Sequence, residues 1–324
     1  MTASHSPIRL FIGSSPKNSI EEKVLRYTLQ KYTDYPIEIN IIDGKAGTVK
    51  TLNTGEVKQL PHDLIDHVKG ATAFSMGRWA IPEWCNYQGR AIYCDSDQLA
   101  LADLSLLWNT EMHGATLAMV PVKQAKSSKH FYKQTLKSYT ETDEIYYLAS
   151  VMLIDCEKAS AWSLASLIDL LNRQTLSLRE LMYVGSQFRN RFNVSVADLP
   201  CEWNHLDYRD RTTKILHFSD LTTQPWRFHH HPISSFWEKY YLEAAETGFL
   251  TSEEILKARS ERWITERIKA LPALPKSVRW LVNPIWRTSS AIGCAIQDSF
   301  NAQARRVRSL PAKLSGFRSK GVSA

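Results

Sequence analysis

The order strand, helix, strand at the start of the chain restricts its fold more than any other feature. IRLFIG (8–13) is a short apolar run ending in glycine and reads as a buried strand. EEKVLRYTLQKY (21–32) follows, with Val24, Leu25, Thr28 and Leu29 on one face of a helix. Ser19 and Glu22 have the spacing of a capping box at its entry. IEINIID (37–43) then alternates Ile37, Ile39 and Ile41 as a second strand. Two strands joined through a helix pair in parallel by a right-handed crossover. RAIYCD (90–95), TLAMVPV (116–122), SVMLID (150–155) and TKILHF (213–218) read as further strands. ASAWSLASLIDLLN carries the helical stripe Leu164, Leu167, Ile168 and Leu171. The alternation predicts an α/β domain over 1–245, with a second region over 246–324. Residues 44–70 read as polar, turn-forming segments with a short helix. SEEILKARSERWITERIKA (252–270) reads as one long polar helix, after which LPALP breaks the chain.

The formal net charge of +7 is concentrated at one end. From Lys276 onward there are nine Lys and Arg against the single acid Asp298, a local charge of +8, which leaves residues 1–275 near −1. Within this region SVRWLVNPIW (277–286) sets Trp280, Leu281, Val282, Ile285 and Trp286 beside Arg279 and Arg287. Interleaved cations and aromatics fit attachment to an anionic membrane surface through 276–324, while core packing of the aromatics and a solvated basic end fit equally well. No nucleic-acid-binding motif accompanies the charge, so a nucleic-acid partner is not expected. The five cysteines (85, 94, 156, 201, 294) are odd in number and include no CxxC pair. That argues against a disulfide framework and for a reducing compartment. There is no long apolar run behind a basic start and none of the roughly 18–20 residues a membrane span needs. The expectation is a cytoplasmic protein, at most peripheral on the inner face of a membrane.

IYCDSD (92–97) carries the chemistry. An apolar strand runs out into Asp95 and Asp97, whose i, i+2 spacing on an extended chain points both carboxylates the same way. In open α/β sheets ligands bind at the carboxyl ends of strands. Two adjacent carboxylates raise each other's pKa unless a cation lies between them, and a hard divalent ion is suited to that place. A DxD triplet alone is more often a solvated turn, but a buried strand immediately before it speaks against that. Haloacid-dehalogenase-type phosphatases also place DxD after a strand. They do so on the first strand and follow it with Thr or Val, whereas this pair lies on about the third strand and position 99 is Leu.

Over roughly residues 8–226 the sequence resembles the family 8 glycosyltransferases. RLFIG resembles their first nucleotide-binding strand, GRWAIPEW (77–84) their Arg-Leu-x-Ile-Pro-Glu helix, and GRAIYCDSDQLALADLSLLW (89–108) their metal-binding block. SVMLIDCEKASAW (150–162), LPCEWNHL (199–206) and HFSDLTTQPW (217–226) resemble the remaining blocks, in the family's order. The resemblance implies a GT-A type, Rossmann-like mixed sheet with helices on both faces, here with a helical, basic C-terminal extension. It implies Asp95, Asp97 and His217 as ligands of Mn²⁺ or Mg²⁺, with Mn²⁺ favoured by the imidazole. Read alone, His217 is as well explained as a core histidine. The resemblance further implies Gly13, Ser14, Arg78, Ser96 and Gln224 as donor-binding residues. The sequence at 229–231, HHH, lies beyond the motif and reads as a loop or surface cluster.

Five departures stand out. Asp220 replaces a Gly, and the closing block has one extra residue before Pro225. Thr223 and Gln224 stand where a Lys is usual, and Ala149-Ser150 replaces Asn-Ala/Ser-Gly. YVGSQFRNRF (183–192) occupies the place of an acidic block and has no carboxylate. The residue facing the reactive sugar carbon is therefore unassigned, and Glu202 and Asp207, the nearest spare acids, read as structural or surface groups. The activity implied is retaining transfer of a hexose from a nucleotide diphosphate sugar, UDP-sugar foremost, to a hydroxyl of a glycan or lipid-linked acceptor. A non-catalytic nucleotide-sugar-binding protein on the same fold and a metal-dependent phosphohydrolase are the alternatives.

Overall fold

The computed structural model describes residues 6–43, 46–59, 73–228 and 231–279. An eight-stranded mixed sheet is its frame, in the order β4-β3-β2-β1-β5-β8-β7-β9. These strands are β1 (Ile8–Ser14), β2 (Ile37–Asp43), β3 (Thr48–Thr51), β4 (Val57–Gln59), β5 (Arg90–Asp95), β7 (Leu117–Pro121), β8 (Tyr147–Asp155) and β9 (Val196–Asp198). β1 lies between β2 and β5 and is parallel to both. β8 runs antiparallel to β5 and β7. A second sheet of three short strands, β10-β11-β6, combines β6 (Gln98–Ala100), β10 (His205–Leu206) and β11 (Ile215–His217).

Both faces of the main sheet are covered, which is why its central strands read as unbroken apolar runs. Ile8, Leu10 and Ile12 of β1 pack with Ile92 and Cys94 of β5 under Leu25 and Leu29 of helix α1 (Ser19–Tyr32). Phe11 and Tyr93 face the opposite core, with Trp79, Trp162, Leu167, Ile168 and Phe188. Each fully buried Ile or Leu contributes roughly 1.5–3 kcal/mol through burial. The covering helices on this second face are α2 (Ala73–Gly77), α3 (Ile81–Trp84), α4 (Leu164–Asn172), α5 (Leu178–Met182) and α6 (Ser186–Phe192). YVGSQFRNRF is thus partly core, because Phe188 packs against Trp79 at 5.1 Å and Trp162 at 5.6 Å between ring centroids.

Several local expectations are corrected. α1 starts at Ser19 with Asn18 at its N-cap, so Ser19 and Glu22 form no capping box. Glu22 instead accepts a hydrogen bond from Ser14 Oγ at 2.8 Å. Within 44–70 the described residues 46–59 form the antiparallel strands β3 and β4, which pair outward from β2 because β2 has no other neighbour on that side, and residues 60–70 of the stretch expected to hold a short helix lie outside the described residues. The polar stretch 252–270 is two helices, α8 (Ser252–Ser260) and α9 (Glu266–Ala270). Arg262 turns the chain at φ +60° between them, and Thr251 and Thr265 each cap a helix start. The break lets Arg267 bury its guanidinium against Glu238 of α7 (Ser234–Glu246), at 2.8 Å. The first compact unit runs through Ala273, and a second begins at Leu274. Of the basic region, only residues up to 279 lie within the described part. Among the described residues no helix is long and apolar enough to cross a membrane.

Candidate metal and donor site

The site is built where β5 ends. Gly13 of β1 is opposite Asp95 in the parallel register, and Ser96 N–H donates to Gly13 O at 3.1 Å. The chain then turns into β6, which pairs antiparallel with β11 so that Gln98 lies opposite His217. Phe218 N–H donates to Asp97 O at 2.9 Å. Strand pairing therefore carries a histidine remote in sequence to the side of the two aspartates. His217 Nε2 lies 3.0 Å from Asp97 Oδ1. One ligand atom from each of Asp95, Asp97 and His217 lies within 4.8 Å of the others.

The surroundings fit a cation. Asp97 Oδ1 is buried and has no aligned hydrogen-bond donor, although His217 Nε2 is close by. A buried carboxylate oxygen with no aligned donor, within 4.8 Å of the other two ligand atoms, is placed to share an ion with them. Two carboxylates and one imidazole suit Mn²⁺ or Mg²⁺. The other oxygen, Asp97 Oδ2, accepts from Gln224 Nε2 at 3.0 Å, and the same amide donates to Phe218 O at 3.1 Å. Burial holds the Asp95 carboxyl above the usual range, opposed by Arg78 and aided by Asp97. Burial disfavours the charged form of His217, yet Asp97 and then Asp95 outweigh it and raise its pKa.

The structure brings most of the sequence-predicted residues to this rim. Arg78 is 6 % exposed. Its guanidinium lies over the Tyr93 ring at 4.5 Å, donates to Asp95 Oδ1 at 3.3 Å and also bonds Ala149 O. Asp95 accepts a further bond from Tyr93 OH. Gly13 and Ser96 are adjacent to Asp95, but Ser14 directs its hydroxyl to Glu22. Gln224 is at the site as the partner of Asp97.

Other residues there had no sequence signal beyond being polar amid apolar neighbours. Gln98 Nε2 donates to Ser150 O at 2.8 Å, and Asn204 Nδ2 to Ser150 Oγ at 2.8 Å. Gln98 Oε1 and Asn204 Oδ1 remain buried without donors. Glu21, in the first turn of α1, is 1 % exposed, and burial pushes its pKa up to about 7 against a bond from Asn18 Nδ2 at 2.7 Å. Of the histidines at 229–231, read as a loop or surface cluster, positions 229 and 230 lie outside the described residues, and His231 lies in a loop but is buried. Its Nδ1 accepts from Ile233 N–H at 3.2 Å, leaving Nε2–H to donate to Asp207 Oδ1 at 3.0 Å. Asp207 Oδ2 accepts from Ser219 Oγ at 2.8 Å and Asp220 N–H at 3.1 Å, and Asp207 N–H donates to His217 O at 2.8 Å. Asp207 is therefore a buried strap on the loop after β11. Asp220, at a position where Gly is usual, binds Thr222 and His130, the latter at 2.7 Å.

Residues 57–230 match the sequence pattern of the family described as glycosyl transferase family 8. The chain belongs to glycosyl transferase family 8 and is a glycosyltransferase. Protein CDI of Arabidopsis thaliana is 27 % identical over 233 residues, which are 69 % of this chain and 77 % of that protein. The galactosyltransferase LgtC, solved in complex with donor and acceptor sugar analogs, superposes with a TM-score of 0.50 at 15 % identity, over 84 % of this chain and 99 % of LgtC. The bifunctional glycosyltransferase WbbM gives 0.50 at 14 %, over 74 % of this chain. This chain spans about half the length of WbbM, 50 %. At these identities the superpositions establish the shared GT-A fold.

Proposed function

We propose that this family 8 enzyme moves a hexose from a nucleotide diphosphate sugar, UDP-sugar foremost, to a hydroxyl of a glycan or lipid-linked acceptor, with retention of configuration. The convergence of Asp95, Asp97 and His217 on one point carries this reading. These three would hold Mn²⁺ or Mg²⁺, which when bound supplies Lewis-acid stabilisation of the departing diphosphate. Asp97 presents Oδ1 because Gln224 occupies Oδ2. Arg78 neutralises part of the charge on Asp95 and adds positive potential beside the leaving group. Gly13, Ser14 and Ser96 line the course of the nucleotide, and Ser150, steadied by Gln98 and Asn204, stands next to Asp95 on the neighbouring strand. If the acceptor attacks from the face that the diphosphate leaves, the diphosphate itself takes the acceptor proton. That route is consistent with a site in which no carboxylate outside the ligand set has been assigned.

A thermal-shift panel of nucleotide sugars with and without Mn²⁺ tests the proposal. Stabilisation by one nucleotide sugar, dependent on Mn²⁺, is expected. Asp97→Ala should abolish it and lower transfer by about 10²–10³-fold or more, the scale seen when a group that stabilises developing charge is removed. Added Mn²⁺ should not restore it. Unchanged turnover in Asp97→Ala would remove the metal from the mechanism.

A further inference from the structure

A cleft opens on the second face of the sheet, at the opposite end of β1 from the metal site. Side chains two residues apart on a strand share a face, and the register sets Arg9 and Phe11 of β1 beside Glu38 and Asn40 of β2. Thr51 of β3 continues the row opposite Asn40. The chain after α3 turns back over this face, with φ +52° at Asn86, +53° at Tyr87 and +64° at Gly89. Position 89 has no room for a side chain, since a Cβ would lie 2.8 Å from Arg9 Nη2. Sheet face, turn and the β3–β4 hairpin enclose about 320 Å³, within the range of small-molecule sites. Arg9 precedes Gly13 by four residues, about 13 Å along an extended strand, so this cleft is separate from the metal site.

Its chemistry narrows the ligand. The floor is buried, with Phe11 and Asn40 each 4 % exposed, whereas Thr54, Lys58, Asn86 and Gln88 at the rim are exposed. Charge is balanced, Arg9 and Lys58 against Glu38 and Glu56. These groups are also held by neighbours. Arg9 Nε donates to Arg90 O at 2.9 Å and its Nη2 to Gln88 O. Lys58 Nζ donates to Trp84 O at 3.2 Å and lies 3.7 Å from Glu56. Glu38 accepts from Asn40 Nδ2 at 3.2 Å. A free ion of either sign gains little in such a place, and a wholly apolar ligand would strip the polar groups of water without replacing it. Thr51 Oγ1 donates to Asn40 Oδ1 at 2.6 Å, which leaves the hydroxyl oxygen to accept. Beside these groups Trp84, partly exposed, stacks on Phe11 with 6.1 Å between ring centroids and 7° between planes. Amides, hydroxyls and paired charges around an aromatic wall complement a pyranose, which carries hydroxyls at its edge and C–H groups on its faces. Groups already fixed by their neighbours lose little further freedom on binding.

We propose that this cleft is a second saccharide subsite, which takes a short run of neutral sugar units from a glycan that also presents the acceptor hydroxyl. Its role rests on the reading of the acceptor as a glycan. A second hold on the same polymer raises the effective concentration of its acceptor ends at the metal site.

The test uses the full chain in EDTA without nucleotide. A negative result there leaves the donor reading untouched, and failure of the nucleotide-sugar panel leaves this subsite standing. Saturation-transfer NMR is recorded with lactose, maltotriose and cellotriose. At least one of them should bind, with its ring C–H protons the most strongly saturated. Thr54→Arg, a substitution at the exposed rim, should obstruct the mouth and weaken binding by about tenfold or more. Trp84→Leu should weaken it to a similar degree through loss of the aromatic wall. Thr54→Arg decides the matter if Trp84→Leu does not fold. Asp97→Ala should bind the saccharide as the wild type does. Two results would overturn the proposal. One is no binding of any of the three saccharides to the wild type. The other is binding that survives Thr54→Arg or is lost in Asp97→Ala, which would place the sugar at the catalytic rim.

Discussion

A carboxylate can offer one oxygen reliably to a cation only when its other oxygen is held. Gln224 does this for Asp97, and its amide is fixed in turn by Phe218 O. Groups that orient metal ligands in this way typically account for 10–100-fold in metal affinity or activity. Gln224→Leu should therefore raise the Mn²⁺ concentration needed for half-maximal transfer by about 10–100-fold, with the maximum at saturating Mn²⁺ reduced less, as read from a metal titration. His231 acts one step further out, on the strap that Asp207 forms across the loop leading from His217 to Gln224. Its Nε2–H is one of three side-chain or backbone donors to the Asp207 carboxylate. Hydrogen bonds to charged groups contribute about 1.5–3 kcal/mol each. His231→Ala should lower unfolding stability in urea by about that amount, and Mn²⁺ should stabilise the variant less than the wild type. A loss under 0.5 kcal/mol, on the order of a surface substitution, would show that the strap does not depend on this histidine.

The elements around the site are tied to it from outside the main sheet. Thr265 N–H, at the start of α9, donates to Trp226 O at 3.0 Å, and Trp226 packs on Trp237 of α7 at 5.2 Å. The helices after the sheet thereby hold the end of the loop that supplies Gln224, which explains why they belong to the same compact unit. α1 contributes differently. Its first turn faces the site with Glu21, whose pKa of about 7 compares with an ordinary value of 4.5. A carboxyl whose folded-state pKa lies above its unfolded value binds its proton more tightly when folded, so stability falls as pH rises. The loss begins near pH 4.5 and is complete somewhat above pH 7. The shift corresponds to about 3 kcal/mol. Urea unfolding in EDTA at pH 5 and pH 8 should show this decline in the wild type, and Glu21→Gln should flatten it. The same slope in both proteins would place the titration elsewhere.

On the scale of the whole molecule, charge and catalytic geometry are separated along the chain. Residues 1–275 sum to about −1 and hold the site, while the +8 from Lys276 onward lies in the region that begins at the end of the first unit. A basic segment rich in Trp and aliphatic residues is suited to anionic lipid headgroups, and we propose that this region attaches the enzyme to such a surface. Deletion of 276–324 should abolish flotation with anionic vesicles at low salt and leave Mn²⁺-dependent stabilisation by the donor unchanged. Equal flotation of both forms would show that the attachment is elsewhere.

The sequence alone determined what is local or periodic. The six principal strands, the α4 stripe and the DxD pair at a strand end were legible because each is written in consecutive or regularly spaced residues. The quoted motifs, in their order, further tied Asp95, Asp97 and His217 to one site. What the sequence left open depends on contacts between remote segments. His231 looked like one of three histidines in a loop or surface cluster, and its burial follows from Asp207, a residue whose own role is set by the loop it straps. Gln224 and Arg78 were read as donor-binding residues, and only the fold shows each bonded to one of the two aspartates. The break between α8 and α9 and the strands β3 and β4 escaped notice because short polar segments have little periodicity. Their conformation is decided by what they pair with, namely Glu238 for Arg267 and the open edge of β2 for β3. Local propensity is carried by neighbours in the chain, whereas a site is carried by neighbours in space.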